Sequence, residues 1–413
     1  QHAPGNALHS GIHFLANAHH VVHESDIAVT VTDTIVSASD LDTVEGLTTG
    51  LVTVNSTTLT GTRTEINATL GTAATEVAGL SDINATVSDA STVAEINVTS
   101  ALTTGSVTAT VSDTDLTTLG GLNETGNAYT ITVAGTTAND TTIDAATLNV
   151  LNGKTTGVIT VSATNITGAL SDIKTLYDAN SAGNVSGLGN ENVTISDTGS
   201  VSASTINDIN GLTTGVIQVS AATIVTGTLA EITTLYTANS AGTVSGLGNE
   251  AIQVTGGGSI TTTDLATLNG YTTGVVNAAT VTTLTGTAAT MNTVYTAAGN
   301  GEISNLGNEE VTISDTTIDA ALLITLDDHT SGIIDASTIT TLTGSDADKE
   351  TVRASSGITG LPGGGGGDYI VTTTTISASE LISLDSQYET VIASAVTTIT
   401  GTAADINTVY TAG

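Results

Sequence analysis

The sequence repeats itself at one fixed interval, and this interval restricts the possible folds more than any other feature. The words SAGNVSGLGNE, SAGTVSGLGNE and GNGEISNLGNE place Gly187, Gly246 and Asn305 at equivalent positions of a 59-residue repeat. A second motif, TTG or TSG, recurs at nearly the same interval. Fixed periods of this kind are typical of solenoids, propellers and linear arrays.

Each repeat divides into two related pieces, such as residues 311–332 and 333–352. Each piece begins with a β-branched run in which apolar and polar residues alternate, which predicts a short strand with Val311 and Ile313 facing inward. A second short run and a helix-start signal follow. The pattern predicts strand, turn, strand, short helix and glycine turn, twice in every repeat.

The helix-start signal is a hydroxyl residue followed three positions later by glutamate, the pattern of a capping box. Apolar residues three apart come directly afterwards, for example Ile232 with Leu235 and Leu323 with Leu326, and this spacing puts both on one helical face. Helices of one or two turns are not stable alone, so we expect them to pack on neighbouring strands. The clearest capping boxes begin at Thr62, Thr228 and Ser377.

Composition decides how such pieces are expected to pack. Aromatic residues make up only 2% of the chain, and Val, Ile, Leu and Ala provide most of the apolar side chains. These side chains suit many thin stacked cores better than one thick core. The predicted fold is therefore mainly β, a repetitive β-solenoid with short capped helical turns and two pieces per 59-residue repeat. The alternative is a string of small β-sandwich modules.

The regularity of the repeats predicts three segments. Residues 1–27 form a His-rich N-terminal segment, residues 28–127 irregular solenoid repeats, and residues 128–413 regular repeats that end without a cap. Because an uncapped solenoid presents open strand edges, the C-terminal end is expected to stack on another copy of the chain. Val409 and Tyr410 are the predicted contact residues there.

The N-terminal segment holds six of the seven histidines and the single phenylalanine. Histidines four apart would share a helical face and bind Zn²⁺ or Cu²⁺. Two other interpretations remain open, namely a cap on the first turn and a polymerisation arm that reaches a neighbouring subunit. The candidate metal ligands are His9, His13, His19, His20 and His23, and the candidate subunit contacts are Phe14, Leu15, Val21 and Val22.

Charge and missing residue types exclude several classes of function. A formal charge of −35 opposes binding to nucleic acid and anionic membranes. No apolar stretch is long enough to span a bilayer. The absence of cysteine and of nucleophile or phosphate-loop motifs predicts that the chain is not an enzyme. No cofactor is required, although the acidic pairs Asp327/Asp328 and Glu309/Glu310 are candidate Ca²⁺ ligands as well as ordinary solvated loops.

The TLTGTAADINTVYTA words and the GLGNE linkers resemble the Thr- and Asp-rich tandem-repeat surface proteins of cyanobacteria and other aquatic bacteria, with related repeats in phage fibres. The resemblance covers roughly residues 28–413 and implies an extracellular structural or adhesive role. The start at Gln1 is also expected if a signal peptide has been removed. The predicted function is a secreted protein that assembles head to tail into a filament or surface layer. Its alternatives are an adhesin or fibre stalk and an ice-binding threonine surface.

Overall fold

A computed structural model of the chain describes residues 13–14, 21–22, 25–72, 76–134, 142–361, 368–386, 388 and 390–412. The chain divides into two compact units, one comprising Gln1–Ser196 and Ile209–Gln218 and the other Asp197–Asp208 and Val219–Gly413. The predicted boundaries at residues 27 and 127 remain predictions.

The described residues form 33 strands and 14 helices, and between one and four strands precede each helix. The strands are β1 His13–Phe14, β2 Val21–Val22, β3 Val29–Val31, β4 Ile35–Ser37, β5 Val52–Val54, β6 Thr58–Gly61, β7 Val77–Ala78, β8 Asn84–Val87, β9 Val107–Thr110, β10 Ala128–Ala134, β11 Thr142–Asp144, β12 Ile159–Ser162, β13 Asn165–Gly168, β14 Val185–Ser186, β15 Asn192–Ile195, β16 Ser200–Ser202, β17 Ile217–Gln218, β18 Ile224–Gly227, β19 Val244–Ser245, β20 Ala251–Val254, β21 Gly258–Thr261, β22 Val276–Asn277, β23 Val281–Gly286, β24 Ile303–Ser304, β25 Glu310–Ile313, β26 Thr317–Asp319, β27 Ile334–Asp335, β28 Thr341–Thr343, β29 Ile358–Thr359, β30 Asp368–Ile370, β31 Thr375–Ser377, β32 Thr390–Ile392 and β33 Thr398–Thr400. The helices are α1 Ala38–Glu45, α2 Arg63–Gly71, α3 Val93–Ser100, α4 Leu116–Leu119, α5 Ala145–Asn152, α6 Leu170–Ser181, α7 Ala203–Asn210, α8 Leu229–Ala241, α9 Thr262–Tyr271, α10 Ala288–Gly299, α11 Ala320–Asp327, α12 Asp346–Ala354, α13 Ala378–Asp385 and α14 Ala403–Ala412.

Parallel pairing between strands of successive turns of the chain builds the sheets. The first unit contains a seven-stranded sheet, β14-β12-β10-β9-β8-β6-β4, a three-stranded sheet, β3-β5-β7, and the run β11-β13-β15-β17. The second unit contains β16-β18-β20-β22-β24, β21-β23-β25-β27-β29, β26-β28-β30-β32 and β31-β33. Helix accounts for 34% of the structure and strand for 29%. The predicted repeating strands are therefore present, but the description as mainly β understates the helices.

The second unit also shows that one repeat is longer than two turns. Ile252 pairs with Val276 one turn later in the chain, and Val276 pairs with Ile303 after a further turn. These two turns together contain fewer residues than one repeat. The remainder of the repeat accommodates a fifth strand such as β24. Equivalent strands of consecutive repeats, such as β22 and β27, consequently lie in neighbouring sheets. The two related pieces predicted for each repeat, with two strands in each piece, did not include this strand.

The short helices begin as the sequence predicts. Thr228 accepts a hydrogen bond from the Glu231 amide, and the Glu231 carboxylate accepts one from the Thr228 amide. Thr62 and Glu65 form the same capping box. Ser377 accepts a hydrogen bond from the Glu380 amide. The paired apolar residues Ile232 and Leu235 are buried, which confirms that this face of the helix packs inward.

The capping boxes lead to a prediction about acidity. The backbone amide and the hydroxyl of Thr228 hold the pKa of Glu231 below its ordinary value. The cap therefore stabilises the fold above the unfolded pKa of about 4.3, and its contribution is lost as the pH falls through the lower folded pKa. We expect Thr228→Ala to raise the Glu231 pKa in an NMR carboxyl titration while leaving that of Glu65 unchanged. An unaltered Glu231 pKa would contradict this role of the hydroxyl.

Threonine hydroxyls connect one turn to the preceding one. Oγ1 of Thr226 donates to the carbonyl of Val201, and Oγ1 of Thr343 donates to the carbonyl of Ile318, both at 3.1 Å. Each bond joins neighbouring strands of one sheet that belong to successive turns. The abundance of threonine therefore has a structural explanation, namely that these side chains add hydrogen bonds to the strand ladder.

Removing one of these hydroxyls is expected to weaken the stack by a modest amount. Thr343→Val keeps the shape of the side chain and should lower the free energy of unfolding by about 0.5–1.5 kcal/mol, the usual contribution of one hydrogen bond. Thr325→Val is the matched control, because the Thr325 hydroxyl donates to Ala321 within its own helix. Urea denaturation followed by circular dichroism compares the two variants. Equal losses would show that the bond between turns has no special contribution.

Candidate functional site

The most distinctive polar cluster is buried at the joint between repeats, where the sequence reads GNE. Glu309 is buried, with a relative exposure of only 2%. Its Oε1 accepts a hydrogen bond from the Tyr295 hydroxyl on α10. Its Oε2 accepts hydrogen bonds from the amides of Gly307, at 2.8 Å, and Asn308, at 3.1 Å. The carboxylate therefore holds the helix and the loop of one joint together.

The next turn closes over the same glutamate through the TSG motif. The Thr330 hydroxyl donates to the carbonyl oxygen of Glu309 at 2.9 Å and accepts from the Gly332 amide at 3.0 Å. Gly332 lies so close that a Cβ atom added to it would be 2.0 Å from that carbonyl oxygen. Tyrosine, glutamate, threonine and glycine thus form one cluster, which we call the joint cluster. It connects three successive segments of the chain.

The joint cluster occurs three times, once for each copy of the GNE loop, and every copy keeps the same bonds. Tyr177 donates to Glu191 in the first unit, as Tyr236 does to Glu250 in the second. The hydroxyls of Thr213 and Thr272 donate to the corresponding glutamate carbonyls. The members are Tyr177, Glu191, Thr213 and Gly215; Tyr236, Glu250, Thr272 and Gly274; and Tyr295, Glu309, Thr330 and Gly332.

Hydroxyl and amide donors surround the glutamate carboxylate in each cluster. Such donors stabilise a buried anion by directed hydrogen bonds. Burial, together with the adjacent Glu309, raises the pKa of Tyr295 above its ordinary value, and Tyr177 beside Glu191 is shifted in the same direction. The phenols therefore stay protonated and remain donors. The chemistry of the cluster is structural, since its polar atoms are committed to one another.

The fourth joint of the chain, which lies in the second unit, has cationic side chains in place of this cluster. Arg353 of α12 occupies the position of Tyr295 in α10, and Lys349 the position of Met291. The Lys349 residue is 0% exposed, and its Nζ donates to the carbonyl of Ile370 and lies 4.2 Å from the centre of the Tyr369 ring. The Arg353 guanidinium lies 4.3 Å from the centre of the Tyr388 ring. Two of the five basic residues of the chain are thus concentrated here.

Five of the eleven predicted metal and subunit-contact residues lie outside the described residues. This applies to His9, Leu15, His19, His20 and His23. His13 and Phe14 form β1, which pairs antiparallel with Val21 and Val22 of β2. The backbone of His13 is therefore extended, whereas the prediction that His9 and His13 share a face assumed a helix. The role of these residues in binding a metal or a subunit remains a prediction.

The acidic pairs proposed for Ca²⁺ do not form a common site. Glu309 is buried in the joint cluster, while its neighbour Glu310 is exposed at the start of β25. The Asp327 carboxylate accepts a hydrogen bond from Ser355. Among the described residues, no group of three or more His, Asp or Glu side chains is arranged to hold a metal ion. None of the helices in the described part of the chain is long and apolar enough to cross a membrane.

Comparison with known proteins identifies no relative of this chain. No protein-family model, curated protein or solved structure matches the chain. The geometry of the joints is thus the basis for any functional argument.

Sequence reasoning missed the joint cluster although its signal was present. The tyrosine precedes the glutamate by the same number of positions, 14, in all three copies. From the sequence, Glu309 was expected to be a solvated loop residue or a Ca²⁺ ligand, and not a buried acceptor. A repeated tyrosine in a chain with so few aromatic residues was the observation that could have revealed the pair.

Proposed function

We propose that the chain is an extracellular structural protein, a β-solenoid whose copies associate head to tail into a filament or surface layer. The ladders of parallel strands support the proposal, because every turn presents strand edges to the next turn. The threonine hydroxyls and the joint clusters support it as well. The side chains that hold these turns together are engaged in packing rather than arranged around a reacting group.

One observation carries the proposal, namely the uncovered face of the last described turn. Tyr410 of α14 occupies the position of Tyr295 in α10, yet Tyr410 is 73% exposed and Tyr295 is 4% exposed. Ile406 and Val409 are only half-buried, whereas the equivalent Met291 and Val294 are fully buried. A turn that covers this face would bury the same residues as the inner turns do. Either residues that continue the chain or a second copy would supply such a turn, and we propose the second copy.

Sedimentation velocity on the full chain tests the assignment. Wild-type protein should associate as its concentration rises, and Tyr410→Asp should remain monomeric because it places a charge on the contact face. Val150→Asp is the matched control, since Val150 is 62% exposed on a helix of the other unit. Deletion of residues 1–27 then tests whether the N-terminal segment is the arm or a cap. Monomers at every concentration would favour the fibre stalk, in which the same chain continues the stack.

The ice-binding alternative has less support. The column of side chains through β23, β25 and β27 reads Thr285, Thr312 and Asp335, so an acidic residue interrupts the threonines. The Thr285 hydroxyl also donates to the carbonyl of Ile260. Because equivalent strands move to the neighbouring sheet in each repeat, no long flat row of equivalent threonines builds up among the described residues of the second unit.

A further inference from the structure

The first and last parallel sheets of the described chain are incomplete. In the second unit, the sheets β16-β18-β20-β22-β24 and β21-β23-β25-β27-β29 each contain five parallel strands. The last sheet, β31-β33, contains two strands, and the first parallel sheet, β3-β5-β7, contains three. The two partial sheets together therefore have the number of strands in one complete sheet.

The strands that one end lacks are the strands that the other end has. In a complete sheet the first two strands run directly into helices, as β21 runs into α9 and β23 into α10, and β31 and β33 run into α13 and α14 in the same way. The third strand is followed by another strand instead, as β25 is by β26 and β3 is by β4. The Thr48 hydroxyl donates to the carbonyl of Ile27 just before β3, as the Thr330 hydroxyl donates to that of Glu309 just before β25. The sheet β31-β33 therefore lacks its last three strands, and β3-β5-β7 lacks its first two.

Side-chain burial at both edges agrees with these missing neighbours. Val29 of β3 is half-buried, whereas the equivalent Val311 of β25 is 0% exposed. Ile399 of β33 is also half-buried, whereas the equivalent Leu284 of β23 is 0% exposed. Contact between the two edges would bury the remaining apolar surface of both side chains, which favours association.

We propose that β3 of a second copy pairs in parallel with β33 and so completes one five-stranded sheet across the junction. This pairing rests on the head-to-tail assembly proposed above and specifies its contact surface. The inner pair of β23 and β25 defines the register, in which Thr285 pairs with Thr312. In the same register Thr400 pairs with Thr30 of the second copy, and the two half-buried apolar side chains become direct neighbours.

An aspartate two positions beyond β3 supplies a second contact in the same register. In the inner turns, the aspartate at this position accepts a hydrogen bond from the first amide of a helix in the preceding turn. Asp315 accepts from Ala288 of α10 at 2.8 Å, and Asp89 accepts in the same way from α2 at 2.6 Å. Asp33 stands at that position of the first turn and is exposed, and Ala403 of α14 stands at the position of Ala288. Because the first amides of a helix have no acceptor within it, the Asp33 carboxylate of the second copy caps α14.

Cysteine cross-linking of the full chain tests the register. The chain has no cysteine, so Thr30→Cys together with Thr400→Cys introduces the only two thiols. Neighbouring strands lie about 4.8 Å apart, which is within the Cα–Cα range of a disulfide. We expect oxidation to join the copies into covalent multimers, seen by gel electrophoresis without reductant. Thr53→Cys with Thr400→Cys is the matched control, because Thr53 pairs with Thr30 and lies one strand further away, about 10 Å from Thr400.

The amount of cross-linked multimer separates the register from the assembly itself. At a concentration where wild-type protein assembles in sedimentation velocity, the first pair should give at least tenfold more multimer than the control pair. Equal cross-linking in two variants that both assemble when reduced would overturn the register and leave head-to-tail assembly standing. Wild-type protein that never assembles would overturn both.

Removal of the Asp33 carboxylate tests the same junction without cysteines. Asp33→Ala should weaken association at least tenfold and leave the urea midpoint of the monomer unchanged, because the bond lies between copies. Asp89→Ala is the matched control, since it removes the same charge but breaks a bond within one chain. The control should lower the urea midpoint and leave association unchanged. Association of Asp33→Ala with the same affinity as wild type would overturn the proposed junction.

Discussion

Replacing Gly332 with alanine is expected to disrupt the joint between two turns and to lower the free energy of unfolding by about 3 kcal/mol or more. The added Cβ would lie 2.0 Å from the carbonyl oxygen of Glu309. Because the obstacle is backbone, no side-chain rotation removes the clash, and the two turns must separate. The Thr330 hydroxyl would then lose its bond to Glu309.

The matched control for this prediction is Gly270→Ala. Gly270 lies within α9, and apart from the adjoining residues and backbone of its own helix a Cβ there would meet no atom within 4 Å. Alanine favours a helix over glycine, so this variant should be as stable as wild type or more stable by up to about 1 kcal/mol. Thermal and urea denaturation of both variants measures the difference. Equal stability of Gly332→Ala and wild type would contradict the close approach of the turns.

Removing the carboxylate of Glu309 is expected to have the second large effect. Glu309→Ala leaves the Tyr295 hydroxyl and the amides of Gly307 and Asn308 without their acceptor in a buried place. Each unsatisfied buried donor costs about 1–3 kcal/mol, so a loss of at least about 3 kcal/mol is expected. Glu309→Gln should lose less, because its amide oxygen can still accept the two backbone hydrogen bonds.

The adjacent Glu310 provides the control. It carries the same carboxyl group, but it is exposed at the start of β25, so Glu310→Gln should change stability by less than about 0.5 kcal/mol. Long repeat arrays unfold in segments rather than as one unit. Hydrogen exchange of residues 303–313 is therefore the better readout, and only Glu309 variants should speed it. Equal exchange rates in the Glu309 and Glu310 variants would show that the Glu309 carboxylate does not stabilise the joint.

The comparison of these joints with the sequence shows what periodicity can and cannot predict. Alternation and capping signals predicted short strands and helices such as β25 and α8 because these depend on neighbouring residues. The fifth strand, β24, was missed because it is very short and has no periodicity of its own. Its presence is defined by pairing with Val276 of the preceding turn, a contact that no local pattern encodes.

The chemistry of the joint depends on the same long-range information. Glu309 looks like a solvated acid in sequence, and only the approach of Tyr295 and Thr330 makes it a buried acceptor. Arg353 and Lys349 were not singled out either, since their significance lies in the positions they occupy relative to Tyr295 and Met291. Aligning the repeats position by position, rather than by motif alone, would have exposed both substitutions.

Cryo-electron microscopy of the purified full chain at rising concentration tests the central claim of head-to-tail assembly most directly. The account predicts filaments or layers in which the strand ladders continue from one copy into the next at about 4.8 Å spacing. Tyr410 should be buried at each junction, and Tyr410→Asp should yield single particles. Wild-type particles that remain single at every concentration, or that associate while Tyr410 stays exposed, would contradict it.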